Sequence, residues 1–246
     1  MSSKIRTGLL LLTIAAVWAP AFGAGPGRAK DASVSSALPQ AGGPACVKCG
    51  EERWDVKTLS DPAANQVNFD PKPATVKQLY SMKAPTTGEA RHASEQQTYV
   101  VQAKLVGYKI EFDAEKNTGD HDFHIVIQDL HGTQTMVVEI PDSQCAGACT
   151  SLKKDAIESA RTAFQNGVTK PPEAEFFALH DPVMVEVTGV LFFDFAHRQT
   201  GLAKNCAELH PVTAFKFASQ PSGVGDKTKE PKPKPESFYR CLPKGP

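Results

Sequence analysis

Between Thr98 and Asp113 the apolar residues change phase: Tyr99, Val101, Ala103 and Leu105 share one face of an extended chain, and Val106, Tyr108, Ile110 and Phe112 share the next. Side chains on a strand alternate between two faces, so a one-residue slip beside Gly107 is what a β-bulge or coiled bend produces. A long first strand bent in its middle can serve both sides of a small barrel.

The residues that follow continue the theme. Phe123, Ile125 and Ile127 alternate with His124, Val126 and Gln128; after His131-Gly132, Met136, Val138 and Ile140 alternate with Val137 and Glu139, and Pro141 ends the hairpin. Leu152, Ala156, Ile157, Ala160, Ala163 and Phe164 then form one helical stripe, which Thr150 or Ser151 can cap and Gly167 can end. Two more strands are expected, Val183 to Phe195 and about Leu209 to Phe217. The order β-β-β-α-β-β predicts a mainly β, OB-like five-stranded barrel. Such a barrel binds ligands on the face of its second and third strands and with the loops after its first and fourth.

The flanks differ in character. Lys4 and Arg6, the apolar run Gly8 to Val17 and the small residues of Ala21-Phe22-Gly23 read as a signal peptide over residues 1–23. The run is too short for the roughly 20 residues of a spanning helix, so no transmembrane segment is expected in the mature chain. Residues 24–44 have almost no large apolar side chains and read as a flexible leader, and 219–246 read as a solvated, disordered Pro/Lys-rich tail that only Cys241 and Phe238-Tyr239 pin back. The single domain is expected over 45–218, with residues 50–90 as an N-terminal wrap. Within that wrap, Thr75 and Gln78 have capping-box spacing before a short helix.

Export also bears on charge and on the cysteines. The whole chain has 27 basic and 27 acidic residues. Cleavage after residue 23 leaves 25 against 27, a formal charge near −2, which is not the basic excess of a dedicated nucleic-acid binder. Cys46, Cys49, Cys145, Cys149, Cys206 and Cys241 read as disulfides in an oxidising compartment, periplasmic or extracellular; a four-thiolate zinc site from the first four is the alternative, and spacing does not choose the pairing.

Polar residues gather at the ligand-side elements. Asp120, His121, Asp122 and His124 stand beside the second strand, Asp194, His197 and Arg198 follow the fourth, and Glu208 and His210 open the fifth, two apart and so on one face. The candidate binding residues are His124, His197, Arg198, Glu208 and His210. With Phe123 inward, His124 is expected to face outward as part of a polar rim, and His124, His197 and His210 are expected to lie close together, with Glu208 turned to the same side. These side chains either hydrogen-bond the 196–208 loop into shape, the reading adopted here, or hold a divalent cation between imidazoles and a carboxylate. No His-Glu-x-x-His, Gly-x-Ser-x-Gly or P-loop is present. No catalytic residue, metal or cofactor is therefore assigned.

Several motifs occur jointly: Glu52-Arg53-Trp54-x-Val56-Lys57-Thr58, Phe123-His124-Ile125-Val126-Ile127, Val138-Glu139-Ile140-Pro141 with Cys145, Val187-Thr188-Gly189-Val190 with Phe192-Phe193-Asp194, His197-x-Gln199-Thr200-Gly201, and Glu208-Leu209-His210-Pro211-Val212. Over residues 49 to 217 this pattern resembles a family of exported bacterial proteins of unassigned function. The chain departs from it at Arg198 and Cys206, where the family usually carries Gly. The resemblance implies a pairing of Cys49 with Cys145; Cys46 with Cys149 and Cys206 with Cys241 are guesses set beside it that neither spacing nor the resemblance supplies. It implies no activity. The chain is read as a binding or interaction module of the cell envelope, its partner an unknown ligand or envelope protein. A metal-dependent hydrolase of phosphodiesterase or nuclease type, using the His/Glu cluster, is the alternative.

Overall fold

The slip in the first long strand organises the sheet. Strand β2, Gln97–Ile110, changes register against both its neighbours between Leu105 and Gly107. A Cβ at Gly107 would lie 2.4 Å from the Phe176 ring and 2.8 Å from the Phe177 carbonyl oxygen, so only glycine admits this approach without displacing its neighbours. The computed structural model describes residues 46–243 apart from 87, 113–118, 198, 220, 222, 227–229 and 231. Residues 1–23, expected as a signal peptide, residues 24–44, expected as a leader, and Arg198 lie outside the described residues.

The bent β2 pairs on one edge with β3, Phe123–Gln128, and on the other with β5, Phe177–Phe193, both antiparallel. Strand β3 pairs antiparallel with β4, Thr135–Ile140; β4 pairs parallel with β6, Ala207–Phe217; and β6 returns antiparallel to β5. The pairings β2–β3–β4–β6–β5–β2 thus close on themselves within a mainly β, mixed sheet.

That sheet has seven strands where five were expected. The N-terminal wrap supplies β1, Asn68–Ala74, parallel to β2 at an edge, and the tail supplies β7, Gly225–Asp226, antiparallel to β5. Neither shows an alternating apolar pattern: β1 carries Pro71 and Pro73, which an edge strand tolerates, and β7 has two residues. Strand β5 also begins six residues before Val183, because its pairing with β2 resumes beyond the slip at Ala178 and Phe177.

Helix α3, Lys154–Gly167, buries Ile157, Ala160 and Phe164 against the sheet. The Phe164 ring meets Tyr108 edge-on at 5.3 Å and Phe215 at 5.1 Å, and Ile125, Ile127, Val138 and Ile140 from the inward face of the hairpin belong to the same core. Burying each such side chain stabilises by roughly 1.5–3 kcal/mol. The helix starts later than its apolar stripe suggested: Lys153 is its N-cap, Ala148–Thr150 form a separate 3-10 turn, and Leu152 is 60% exposed. No helix among the described residues is long and apolar enough to cross a membrane.

The wrap is bound to the sheet by charge as well as by packing. Helix α1, Trp54–Lys57, follows Arg53, whose guanidinium donates to both oxygens of Glu95 at 2.9 and 2.7 Å and to the Phe193 carbonyl at 2.6 Å. Arg91 makes a similar buried pair with Asp61. Helix α2, Val76–Tyr80, starts with the expected capping box of Thr75 and Gln78 and buries Val76 and Leu79.

All six cysteines are paired: Cys46 with Cys149, Cys49 with Cys145 and Cys206 with Cys241. The first two bridges tie the start of the wrap to the segment after β4, where Val47 also bridges Cys145, and they exclude a four-thiolate site. Such bridges belong to an oxidising compartment. The third carries the tail back onto the loop before β6. Tyr239 is buried beside this bridge, so the tail is pinned back at Cys241 and Tyr239 as expected, while Leu242 bridging Phe195 and β7 pairing with β5 add contacts in the stretch expected to be solvated and disordered.

Candidate functional site

On β3, β4 and β6 the faces opposite the apolar core carry titratable side chains, and these faces are covered too. The loop after β5 lies over β3, where a Cβ on Gly201 would meet the Val126 side chain at 2.5 Å. The polar rim expected around His124, Glu208 and His210 is therefore a sealed interior: each of the three is 0% exposed.

His124 stands opposite Glu139 in the β3–β4 register. Its Nδ1 lies 2.9 Å from Glu139 Oε1 and its Nε2 lies 2.9 Å from the Thr200 carbonyl oxygen. Both partners are acceptors, so the ring donates from both nitrogens and is an imidazolium. Burial opposes that charge, and the hydrogen bond to Glu139 together with the charges of Glu111 and Glu139 overcomes it, raising the His124 pKa. Glu139 responds in kind: burial would raise its pKa, but His124 and His210 hold it well below the usual carboxylate range.

Glu208 and His210 share a face of β6, as their spacing requires. His210 Nδ1 is 3.0 Å from Glu139 Oε2 and 4.0 Å from Glu208 Oε2, while its Nε2 is 3.0 Å from Asp122 Oδ2. These contacts are close but lack aligned hydrogen-bond geometry, and neither oxygen of Glu208 has a hydrogen-bond partner. Burial works against the His210 charge, yet Asp122 and Glu139 push its pKa up to about 9. Burial raises Asp122 to about 7 despite His210, and burial with the neighbouring charges of Glu139 and Asp194 raises Glu208 well above its ordinary value.

The wrap closes the centre from another side. Lys57 Nζ donates to Asp120 Oδ2 at 2.9 Å, and the charges of Asp194 and Asp120 raise its pKa well above normal against the effect of burial. His197 does not join His124 and His210 around Glu139. Its Nε2 pairs instead with Glu52 Oε2 at 2.9 Å and Asp194 Oδ2 at 3.4 Å, with 27% of the side chain exposed. Sequence reasoning left Lys57, Asp122, Glu139 and Asp194 out of the candidate set. Hairpin register was the signal for Glu139, which falls opposite His124 once Gln128 is set against Thr135.

A groove of about 1120 Å³ lies outside this centre. Val106, Val126 and Thr135 of the sheet, Phe176, Thr200 and Gly201 line it, and Lys232, Lys234 and Tyr239 of the tail complete its wall. The Thr200 carbonyl caps His124, while the Thr200 hydroxyl donates to Glu230 at 2.5 Å.

No protein-family model matches the chain, and no curated protein does. Among solved structures, a chain described as an aspartyl-tRNA synthetase from Leishmania major Friedlin is similar at 11% identity and a TM-score of 0.36, over 64% of this chain and 23% of that one.

Proposed function

We propose that the chain is an exported binding module of the bacterial cell envelope, built on an OB-like five-stranded ring, and that the groove beside β3 and β4 takes an acidic oligosaccharide. One observation carries this reading: the groove joins the outward face of β3 at Val126 to the loop after β5 at Thr200 and Gly201. Those are surfaces through which an OB barrel takes oligosaccharides and other extended ligands. The ring of pairings β2–β3–β4–β6–β5–β2, with its parallel contact between β4 and β6, supports the OB comparison. The groove also carries Tyr80, Phe176, Phe238 and Tyr239 beside Lys232 and Lys234, a mixture of rings and cations suited to sugars bearing carboxylates. The three disulfides support a periplasmic or extracellular setting.

Hydrolysis at the His/Glu centre receives less support. A catalytic metal keeps a position open for water or substrate, whereas His124, Glu208 and His210 have no exposed surface. Titration with acidic and neutral envelope oligosaccharides in a calorimeter tests the binding reading. Acidic oligosaccharides should bind with an affinity that falls with added salt, and Lys232→Glu with Lys234→Glu should abolish that binding without altering the melting temperature, since both lysines are exposed. Failure of every acidic oligosaccharide to bind, or unchanged binding by the double variant, would overturn it.

A further inference from the structure

The groove beside β3 and β4 is walled by a stretch of the tail that brings its own carboxylate to the groove lining. The tail is fixed to the sheet at two places of unequal strength. Upstream, β7 pairs only two residues with β5, and the His180 amide donates to the Val224 carbonyl at 3.1 Å. Downstream, Cys241 is bonded to Cys206, Tyr239 is buried with Val137 and Leu202, and the Arg240 and Leu242 amides donate to the carbonyls of Lys204 and Asp194. One end is thus covalent, and the other is a short edge pairing of the kind that opens first.

Between these ends, Glu230 and residues 232–238 are exposed, and Lys232, Pro233 and Lys234 wall the groove. The Lys234 amide donates to the Tyr239 hydroxyl at 3.2 Å, which folds this strap on itself and not on the sheet. Glu230 ties it to the loop after β5, because the Thr200 hydroxyl donates to the Glu230 carboxylate at 2.5 Å. Thr200 lines the groove and yet is only 2% exposed. A threonine hydroxyl has one proton to donate, so a second carboxylate receives it only when Glu230 leaves.

Taking the class of ligand from the binding reading above, we propose that the Thr200 hydroxyl is the carboxylate subsite of the groove. Glu230 fills that subsite in the free protein, and an acidic oligosaccharide enters by displacing it. The exchange replaces one hydrogen bond to a carboxylate by another of the same kind, so little hydrogen-bond energy is lost in opening the latch. The strap turns about its disulfide end, and Lys232 and Lys234 pass from the company of Glu230 to the charge of the ligand. A neutral sugar has no group to put in place of Glu230. The latch therefore favours acidic chains over neutral ones of the same shape.

The test uses the full chain with its disulfides intact, a galacturonic acid hexamer as probe and the methyl ester of that hexamer as neutral control. In calorimetric titration Glu230→Ala should bind the hexamer about tenfold more tightly than wild type, because the subsite no longer has to be emptied. Adding Thr200→Val to Glu230→Ala should reverse that gain, whereas adding Thr200→Ser, which keeps the donor, should preserve it. Without sugar, Glu230→Ala should speed amide exchange at Lys234 and His180 and leave Arg240 and Leu242 unchanged. Equal or weaker binding of the hexamer by Glu230→Ala, or an equal gain for the ester, would overturn the displacement. If the hexamer binds neither protein, the binding reading fails by itself and amide exchange decides the latch: faster exchange at Lys234 in Glu230→Ala upholds it, and unchanged exchange overturns it.

Discussion

His124 and Glu139 face one another across the β3–β4 hairpin, joined at 2.9 Å with both side chains out of water. The imidazolium is the counter-charge of Glu139, and its other nitrogen holds the loop at Thr200. Glu139→Gln removes the nearer partner of that buried cation and leaves it only Glu111, 3.4 Å from Nδ1. Breaking one side of a buried pair costs about 3–5 kcal/mol, and urea unfolding of Glu139→Gln should show a loss of that size. A loss below about 1 kcal/mol, as at an exposed pair, would refute the assignment of charge.

His197 gives a pH dependence of opposite accessibility. Its hydrogen bond with Asp194 raises its pKa against partial burial, with Asp194 and Glu52 adding attraction and Lys57 repulsion. Asp194 is lowered despite its burial, chiefly by His197 and Lys57. A raised histidine contributes fully below its unfolded pKa of about 6.5 and loses its contribution as pH climbs through the folded value; a lowered aspartate contributes above about 3.9 and loses it on acidification. The pair is therefore strongest between those two unfolded values. The stability difference between wild type and His197→Gln should peak in that window and shrink above it. A difference that grows toward alkaline pH would contradict the pairing.

The bridge from Cys206 to Cys241 closes 35 residues and carries the tail to the groove wall. Replacing both cysteines by serine should lower stability by about 2–4 kcal/mol. Limited proteolysis with trypsin should then cut the freed tail after Arg240, which no proline follows, before it cuts the sheet. Non-reducing peptide mapping of wild type should recover the three observed pairs and no free thiol, and a Cys46–Cys49 peptide would show that the wrap is stapled differently.

What could be read in advance follows from where the physics is local. The bulge at Gly107, the β3–β4 hairpin and the Thr75 capping box depend on neighbouring residues, and the structure shows them where the pattern placed them. The pairing of Cys49 with Cys145 came through resemblance, not spacing. Burial of His124 and His210 was not legible, because it depends on a loop and a wrap that cover the outward face from far along the chain. Asp122, Glu139 and Lys57 look like ordinary solvated charges until tertiary contacts bring them together. Likewise β1 and β7 are strands only because an edge of β2 or β5 was free to receive them.

Gly107 offers the most direct test of the bend on which this architecture depends. A methyl group there meets the end of the Phe176 ring at 2.4 and 2.5 Å and the Phe177 carbonyl at 2.8 Å. The ring can turn aside, but the carbonyl belongs to the β5 backbone and cannot move without disturbing the pairing of Gly107 with Ala178 and of Tyr108 with Phe177. Gly107→Ala should therefore destabilise by about 1–3 kcal/mol, the usual cost of overpacking. Adding Phe176→Leu should recover only part of that loss, because it relieves the ring and leaves the carbonyl. Amide exchange should localise the change to the β2–β5 ladder around Tyr108 and Ala178. Full recovery in the double variant would show that the ring alone demands glycine, and stability within about 0.5 kcal/mol of wild type in Gly107→Ala would show that close approach at the bulge is not required.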